Sequence, residues 1–303
     1  MANALPVIVN ATAGKGYTAA EIEALGAAFE AAGAAAEIRP ARVGSDLVKL
    51  AERAVKAGHP VIVGGGGDGT MNAIASAVAG SESAMGVLPL GTLNHFAKDL
   101  KIPLDLAEAA RVVVANHQMQ VDVAEVNERI FINNSSLGLY PELVRMRENQ
   151  RRRLGRGKWH ALFWATLTVL QRHPMLDVRL VLDDVVADRR TPLVFIGNNE
   201  YQIEGFHVGS RERLDAGKLS IYLTRRHGRR GLLGLALRAM VGTLHQAHDF
   251  EALTAQGVTI ATRHKALPVA TDGEVTVMKT PLEYRIRPKA LRVIVPAPGP
   301  EPA

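Results

Sequence analysis

The sequence predicts a two-part chain, an α/β domain followed by a β-rich one. Three observations carry this expectation. The first ~120 residues alternate short apolar runs with longer Ala-rich segments, as strands and helices do in a parallel sheet covered on both faces. Glycine-containing stretches follow three of those apolar runs, where an open sheet gathers its strand-end loops. After about Gln118 strand-like segments dominate instead.

Taken in order, residues 6–9 form a short β-branched run that ends at Asn10-Ala11-Thr12-Ala13-Gly14-Lys15-Gly16. Thr18 and Glu21 make a capping-box pattern opening an Ala-rich helix to about Ala32. A second helix fits residues 45–57, with Gly58 placed to stop it. Residues 60–63 are the next strand, followed by Gly64-Gly65-Gly66-Gly67-Asp68-Gly69-Thr70 and a helix to about Ala79. Residues 86–90 form another strand and lead into Gly91-Thr92-Leu93-Asn94-His95-Phe96.

In the second half, strands are expected at 121–126, 130–133, 177–182, 193–197, 219–223, 258–261 and 275–277. Two helical stretches, 158–171 and 231–248, interrupt them. A last strand at 291–295 could return to either domain, and the Pro-rich end is expected to form a disordered tail.

Composition narrows the chemistry. The chain has 303 residues, a net charge of +6, 47% hydrophobic residues and no cysteine. Hydrophobic content at the globular average argues against extensive disorder. The missing cysteines exclude a disulfide scaffold, thiolate metal sites and a cysteine nucleophile. No basic signal region opens the chain, and its apolar stretches fall short of a membrane span. The expectation is a cytoplasmic protein whose pI near 9.7 suits anionic partners.

Residues 64–70 carry the strongest chemical signal. Glycines between a strand and a helix let backbone N–H groups approach a phosphate, and the helix dipole points at the same place. An aspartate there is out of place beside an anion alone. Asp68 makes sense facing a magnesium ion or accepting a proton; the plain alternative is a tight turn with Asp68 capping the following helix. The P-loop pattern is absent and the dinucleotide fingerprint fits poorly, which favours an ATP-type donor.

Asn10 to Gly14, Gly66-Gly67-Asp68-Gly69-Thr70 with Asn72, and the segment 88–96 resemble the bacterial diacylglycerol kinase family, related to sphingosine kinases and more distantly to NAD kinases. The resemblance continues in order through 133–138, 197–199, 214–219 and 271–274. It implies an N-terminal NAD-kinase-like α/β nucleotide-binding domain (1–118, completed by 287–296) and a C-terminal antiparallel β-sandwich (119–286), with 297–303 as the tail. It also implies ATP-dependent phosphorylation of a lipid hydroxyl, with ATP and Mg²⁺ as cofactors. Asn10, Ala11, Thr12, Ala13, Gly14, Gly66, Gly67, Asp68, Gly69, Thr70, Asn72 and Thr92 would hold the nucleotide. Asp68 and Glu274 would be the catalytic carboxylates, and Asp215 the metal ligand.

The sequence departs from the family pattern at three positions. His95 stands where the family has aspartate, Ala216 where it has the magnesium-linked aspartate, and Ala73 where it often has glutamate. Asp215 could substitute from the neighbouring position. On spacing alone, Asp272-Gly273-Glu274 reads as a hairpin turn with a solvated glutamate.

Residues 145–158 hold seven basic side chains and are followed by Trp159, Phe163 and Trp164. Such a segment fits transient docking on an anionic membrane surface, or else a solvated face. A second cluster, Arg225-Arg226-His227-Gly228-Arg229-Arg230, precedes another apolar helix. The expectation is a lipid kinase with diacylglycerol as default acceptor, peripheral at the inner face of the membrane. No nucleic-acid motif is present, and a homodimer stays open. The alternatives are another lipid or soluble acceptor, or a catalytically silent nucleotide-binding regulator.

Overall fold

The computed structural model describes residues 4–11, 19–41, 44–139, 141, 175–182, 185–202, 210–224 and 250–298. The expected positions Thr12, Ala13 and Gly14, the capping Thr18, the basic segments 145–158 and 225–230, the aromatics Trp159, Phe163 and Trp164, both second-half helices and the last tail residues lie outside them. The chain divides into two compact units, Met1–Val123 with Arg287–Ala303, and Ala124–Ile286.

The first unit is an α/β sheet. Strands β1 (Leu5–Asn10), β2 (Ala36–Ala41), β3 (Val61–Gly66) and β4 (Ala84–Pro89) run parallel in the order β2-β1-β3-β4. Helices α1 (Ala19–Ala31), α2 (Gly44–Lys56), α3 (Asp68–Val78), α4 (His95–Asp99) and α5 (Leu106–Ala115) connect and cover them. Every residue of β3 and β4 is buried, as expected for central parallel strands sandwiched between helices. Leu25 and Phe29 from α1, Ile74 from α3, and Ile8, Ile62 and Met85 from the strands fill the core. β2 was not expected: its residues are mostly half-exposed and Pro40 interrupts it, which only an edge strand tolerates.

The C-terminal end of the last strand, β16 (Leu282–Ile294), pairs in parallel with β4 through Arg292–Ala84 and Val293–Met85. Asp122 from β5 (Gln118–Val126) accepts the Lys289 N–H at 2.8 Å, fixing that end of β16.

The second unit is an antiparallel β-sandwich. One sheet holds β12 (Phe250–Ala255), β11 (Leu219–Thr224), β10 (Leu193–Asn198), β7 (Asn134–Gly138), β14 (Ala266–Thr271) and β15 (Glu274–Lys279), in that order. The facing strands are β5, β6 (Arg129–Phe131), the start of β16, β13 (Gly257–Thr262), β8 (Leu176–Leu182) and β9 (Val185–Thr191). Leu137, Ile196, Ile221 and Val269 from the first sheet share a core with Phe131, Leu180, Ile260 and Tyr284 from the second. Phe131 and Tyr284 meet edge to face at 6.2 Å, and the Tyr284 hydroxyl is 3.0 Å from Ser135 Oγ. Burial pushes the Tyr284 hydroxyl above the ordinary tyrosine range. Among the described residues no helix is long and apolar enough to cross a membrane.

Candidate functional site

The glycine run divides differently from its sequence reading. Gly64, Gly65 and Gly66 are not loop but the buried end of β3. Their missing side chains serve packing: a Cβ on Gly64 would come within 2.8 Å of Ile74 Cδ1, and one on Gly65 within 2.7 Å of Val9 Cγ1. A Cβ on Gly66 would come within 2.6 Å of Thr70 Cβ. Gly67 alone forms the turn. Its nearest neighbour would be Gly91 Cα at 3.4 Å, an ordinary contact, so its bareness leaves space above the helix rather than relieving a clash.

Gly67 is also the N-cap of α3, and it offers no side-chain cap. The alternative of Asp68 capping its own helix is therefore not what the fold shows. Asp68 begins α3, and its Oδ1 accepts the Phe96 N–H at 3.0 Å, at the start of α4. Being without an intrahelical acceptor, the first N–H groups of α3 face outward from the strand end. Their positive dipole end suits an anion.

Two further contacts draw the strand ends together. Asn10, the last residue of β1, donates from Nδ2 to Thr70 Oγ1 at 3.2 Å. In the turn after β4, Asn94 stands at φ 51° and its Oδ1 accepts the Gly91 N–H at 2.9 Å. Asn94 Nδ2 donates to the carbonyls of Pro89 and Gly91, closing the turn on itself. Thr92 is exposed on this turn, and His95 is the exposed first residue of α4. Ala11 gives its N–H to Ala41 at 2.8 Å, so that amide is taken up by the sheet. Asn72 is buried in α3, and its Oδ1 has no hydrogen-bond partner among the described residues. Asn10, Gly66, Gly67, Asp68, Gly69, Thr70, Asn72 and Thr92 thus gather at the strand ends of one unit. The bare backbone turn at Gly67 and the N-terminus of α3 fit a phosphate-bearing ligand. The unsatisfied Asn72 Oδ1, an acceptor, would instead take a donor and not a phosphate oxygen.

Glu274 and Asp215 belong to the β-sandwich unit. Asp272 and Gly273 both have positive φ (47° and 84°) and form the two-residue turn joining β14 to β15. Glu274 follows as the first residue of β15, exposed as its sequence reading had it. It is ion-paired rather than merely solvated: Arg129 donates to Glu274 Oε2 at 2.8 Å and to Thr276 Oγ1 at 2.8 Å.

Asp272 turns inward. Its carboxylate accepts the N–H groups of Ile132 (2.8 Å), Asn133 (2.9 Å) and Asn134 (3.0 Å). Burial pushes this carboxyl up to about 6, against the pull of the three amides and of the Arg211 charge. Arg211, which the sequence reading did not single out, is 5% exposed. Its guanidinium donates to the Ile132 carbonyl (2.7 Å), the Asn198 carbonyl (3.0 Å) and Asn133 Oδ1 (2.8 Å), and lies 5.3 Å from the Tyr201 ring centre. Nothing local marks it, because it is one arginine among many on a polar stretch.

A magnesium ligand at Asp215 is implied by the resemblance alone. Arg213 donates to Asp215 Oδ1 at 3.1 Å, and the neighbouring Ala216 N–H is held by Asn199 Oδ1 at 3.1 Å. Among the described residues no three histidine or carboxylate side chains come together. Those residues do not make a protein-built cation cage around Asp215.

A parallel α/β unit with a phosphate-type cradle at its strand ends, followed by an antiparallel β-sandwich, defines a two-domain kinase class. The diacylglycerol kinase catalytic domain family matches residues 4–126, and the YegS C-terminal NAD kinase beta sandwich-like domain family matches 142–295. The chain belongs to this family of diacylglycerol and YegS-like lipid kinases. A Pseudomonas aeruginosa protein named "Probable lipid kinase YegS-like" is 28% identical over 294 residues, covering 92% of this chain and 91% of that one. A Klebsiella pneumoniae protein of the same name is 40% identical over 96 residues, so this chain matches 32% of its length. A Staphylococcus aureus "Diacylglycerol kinase" is 33% identical over 134 residues, 44% of this chain and 42% of that protein. Two solved Bacillus anthracis structures with diacylglycerol kinase in their names align over 97% of both chains, with TM-scores of 0.77 and 0.71 at 24% and 21% identity. At that identity the likeness is one of fold.

Proposed function

We propose that this chain transfers the γ-phosphoryl group of ATP to a lipid hydroxyl, with diacylglycerol as the default acceptor. The observation that carries the reading is the cradle at the strand ends, where Asn10 is tied to Thr70 and Asp68 to Phe96 at the N-terminus of α3. In this reading ATP supplies the phosphoryl group, and magnesium accompanying it offsets the phosphate charge.

The α3 amides and the space over Gly67 would bind the phosphates, with Asn10, Thr70, Asn72 and Thr92 orienting them. Ala11, Thr12, Ala13 and Gly14 would complete the cradle from the end of β1. Asp68 keeps one carboxylate oxygen on α4, which orients the other. Glu274, steadied by Arg129, is the second carboxylate able to take the hydroxyl proton. A membrane-bound acceptor accords with the basic and aromatic segment at 145–164 and with the lipid kinase names of the relatives.

The test is an acceptor panel: diacylglycerol, phosphatidylglycerol, a sphingoid base and NAD, each offered with Mg²⁺ and ATP. The reading expects kcat/KM highest for a lipid. Turnover with NAD alone would replace it by a soluble acceptor.

A further inference from the structure

The β-sandwich unit contains a buried positive charge that nothing so far has given a task. Arg211 is surrounded by oxygen atoms: two backbone carbonyls, the Asn133 side-chain oxygen and, acting on it through charge, the Asp272 carboxylate. An oxygen-rich pocket of this kind is what a hard cation selects. Here a guanidinium from the chain itself occupies it.

The geometry links that charge to the candidate base. The connection from β6 to β7, Ile132 to Asn134, is gripped by opposite charges. Its three N–H groups go to Asp272, while the Ile132 carbonyl and the Asn133 side chain go to Arg211. Asp272 is the first turn residue of the hairpin whose next strand starts with Glu274. On the other side, Arg211 holds the Asn198 carbonyl, and Asn199 holds the Ala216 N–H. The backbone around residue 216 is thereby fixed without a carboxylate there.

We propose that Arg211 is a positioning residue, a built-in cation that locks the Ile132 to Asn134 connection and, through Asp272, the hairpin presenting Glu274, so that this unit needs no divalent cation of its own. The proposal rests on the kinase reading only for the task of Glu274. A planar fork reaching three oxygens on two segments is a job for arginine; lysine brings one point charge and a different reach.

The test uses the full chain and the variants Arg211→Lys and Arg211→Ala. Without nucleotide, the wild-type melting midpoint is expected to be the same in EDTA and in excess Mg²⁺. Amide hydrogen exchange at Ile132, Asn133 and Asn134 is expected to speed up in Arg211→Lys, with no change in β3 and α3. With MgATP, kcat of Arg211→Lys should fall roughly tenfold while KM for ATP stays within about twofold, the pattern of a lost positioning contact. A wild-type midpoint that drops in EDTA would overturn the proposal, as would unchanged exchange at those three amides in Arg211→Lys. The melting and exchange readouts do not depend on turnover, so a chain without kinase activity would sink the kinase reading while these still decide the role of Arg211. If Arg211→Ala does not fold, Arg211→Lys and the wild-type EDTA comparison carry the test.

Discussion

Asp68 Oδ1 accepts the Phe96 N–H at 3.0 Å, so the aspartate that begins one helix caps another that follows a different strand. The bond ties the turn after β3 to the turn after β4 and fixes the orientation of a carboxylate beside the α3 N-terminus.

Asp68→Asn separates that structural task from chemistry. The amide oxygen can still accept from Phe96, so stability should drop by about 1 kcal/mol or less. Turnover should fall on the order of a hundredfold or more, because asparagine takes no proton. Melting curves and kcat, measured on the same preparation, check both.

Gly67 and Gly91 should respond in opposite ways to alanine. A Cβ on Gly91 would stand 2.6 Å from Asn94 Oδ1 and 2.9 Å from Gly67 N, so the two turns must part. We expect Gly91→Ala to cost about 1–3 kcal/mol. Gly67→Ala meets nothing closer than 3.4 Å and should fold normally, while its methyl group fills the space over the α3 amides and weakens ATP binding. Urea unfolding with calorimetric ATP titration distinguishes the two.

Arg129→Met should change stability little, since the Glu274 end of the pair is exposed and ion pairs open to solvent contribute ~0–1 kcal/mol. If Glu274 is the base, loss of its orienting partner should still lower kcat with little change in KM for ATP.

Asp272→Asn replaces a three-amide acceptor by one oxygen and an NH₂ group that meets a donor. We expect a loss of about 1–3 kcal/mol in urea unfolding at pH 7. The pH dependence has a definite sign. The folded carboxyl, at about 6, lies above its ordinary 3.8, so folding takes up a proton between those values. Wild-type stability at this site is present below 3.8 and lost as pH rises through about 6. The gap between wild type and Asp272→Asn should therefore widen as pH falls from 7 towards 4.

Strongly periodic or apolar elements were legible in the sequence. β3 and β4 read as strands because buried parallel strands are continuous apolar runs, though β3 continues through three glycines that composition assigns to a loop. Two of the strands that escaped carry little apolar signal, whereas β14 escaped despite Leu267 and Val269 because Pro268 interrupts its run. β9 is an edge strand with three charged residues, and β7 reads Asn-Ser-Ser-Leu-Gly because Asp272 and Tyr284 supply its environment from far along the chain. At the site, residues 66–70 announced themselves through glycine spacing. Arg211 and Arg129 did not, since their hydrogen-bond partners lie between 13 and 147 residues away and no local pattern encodes them.

The decisive measurement incubates the full chain with Mg²⁺, γ-labelled ATP and total bacterial lipid in mixed micelles, with Asp68→Asn alongside. Label is expected in an organic-phase product whose mass equals one lipid plus a phosphoryl group, and it should be absent with the variant. ATP binding without any labelled lipid would contradict phosphoryl transfer to a lipid.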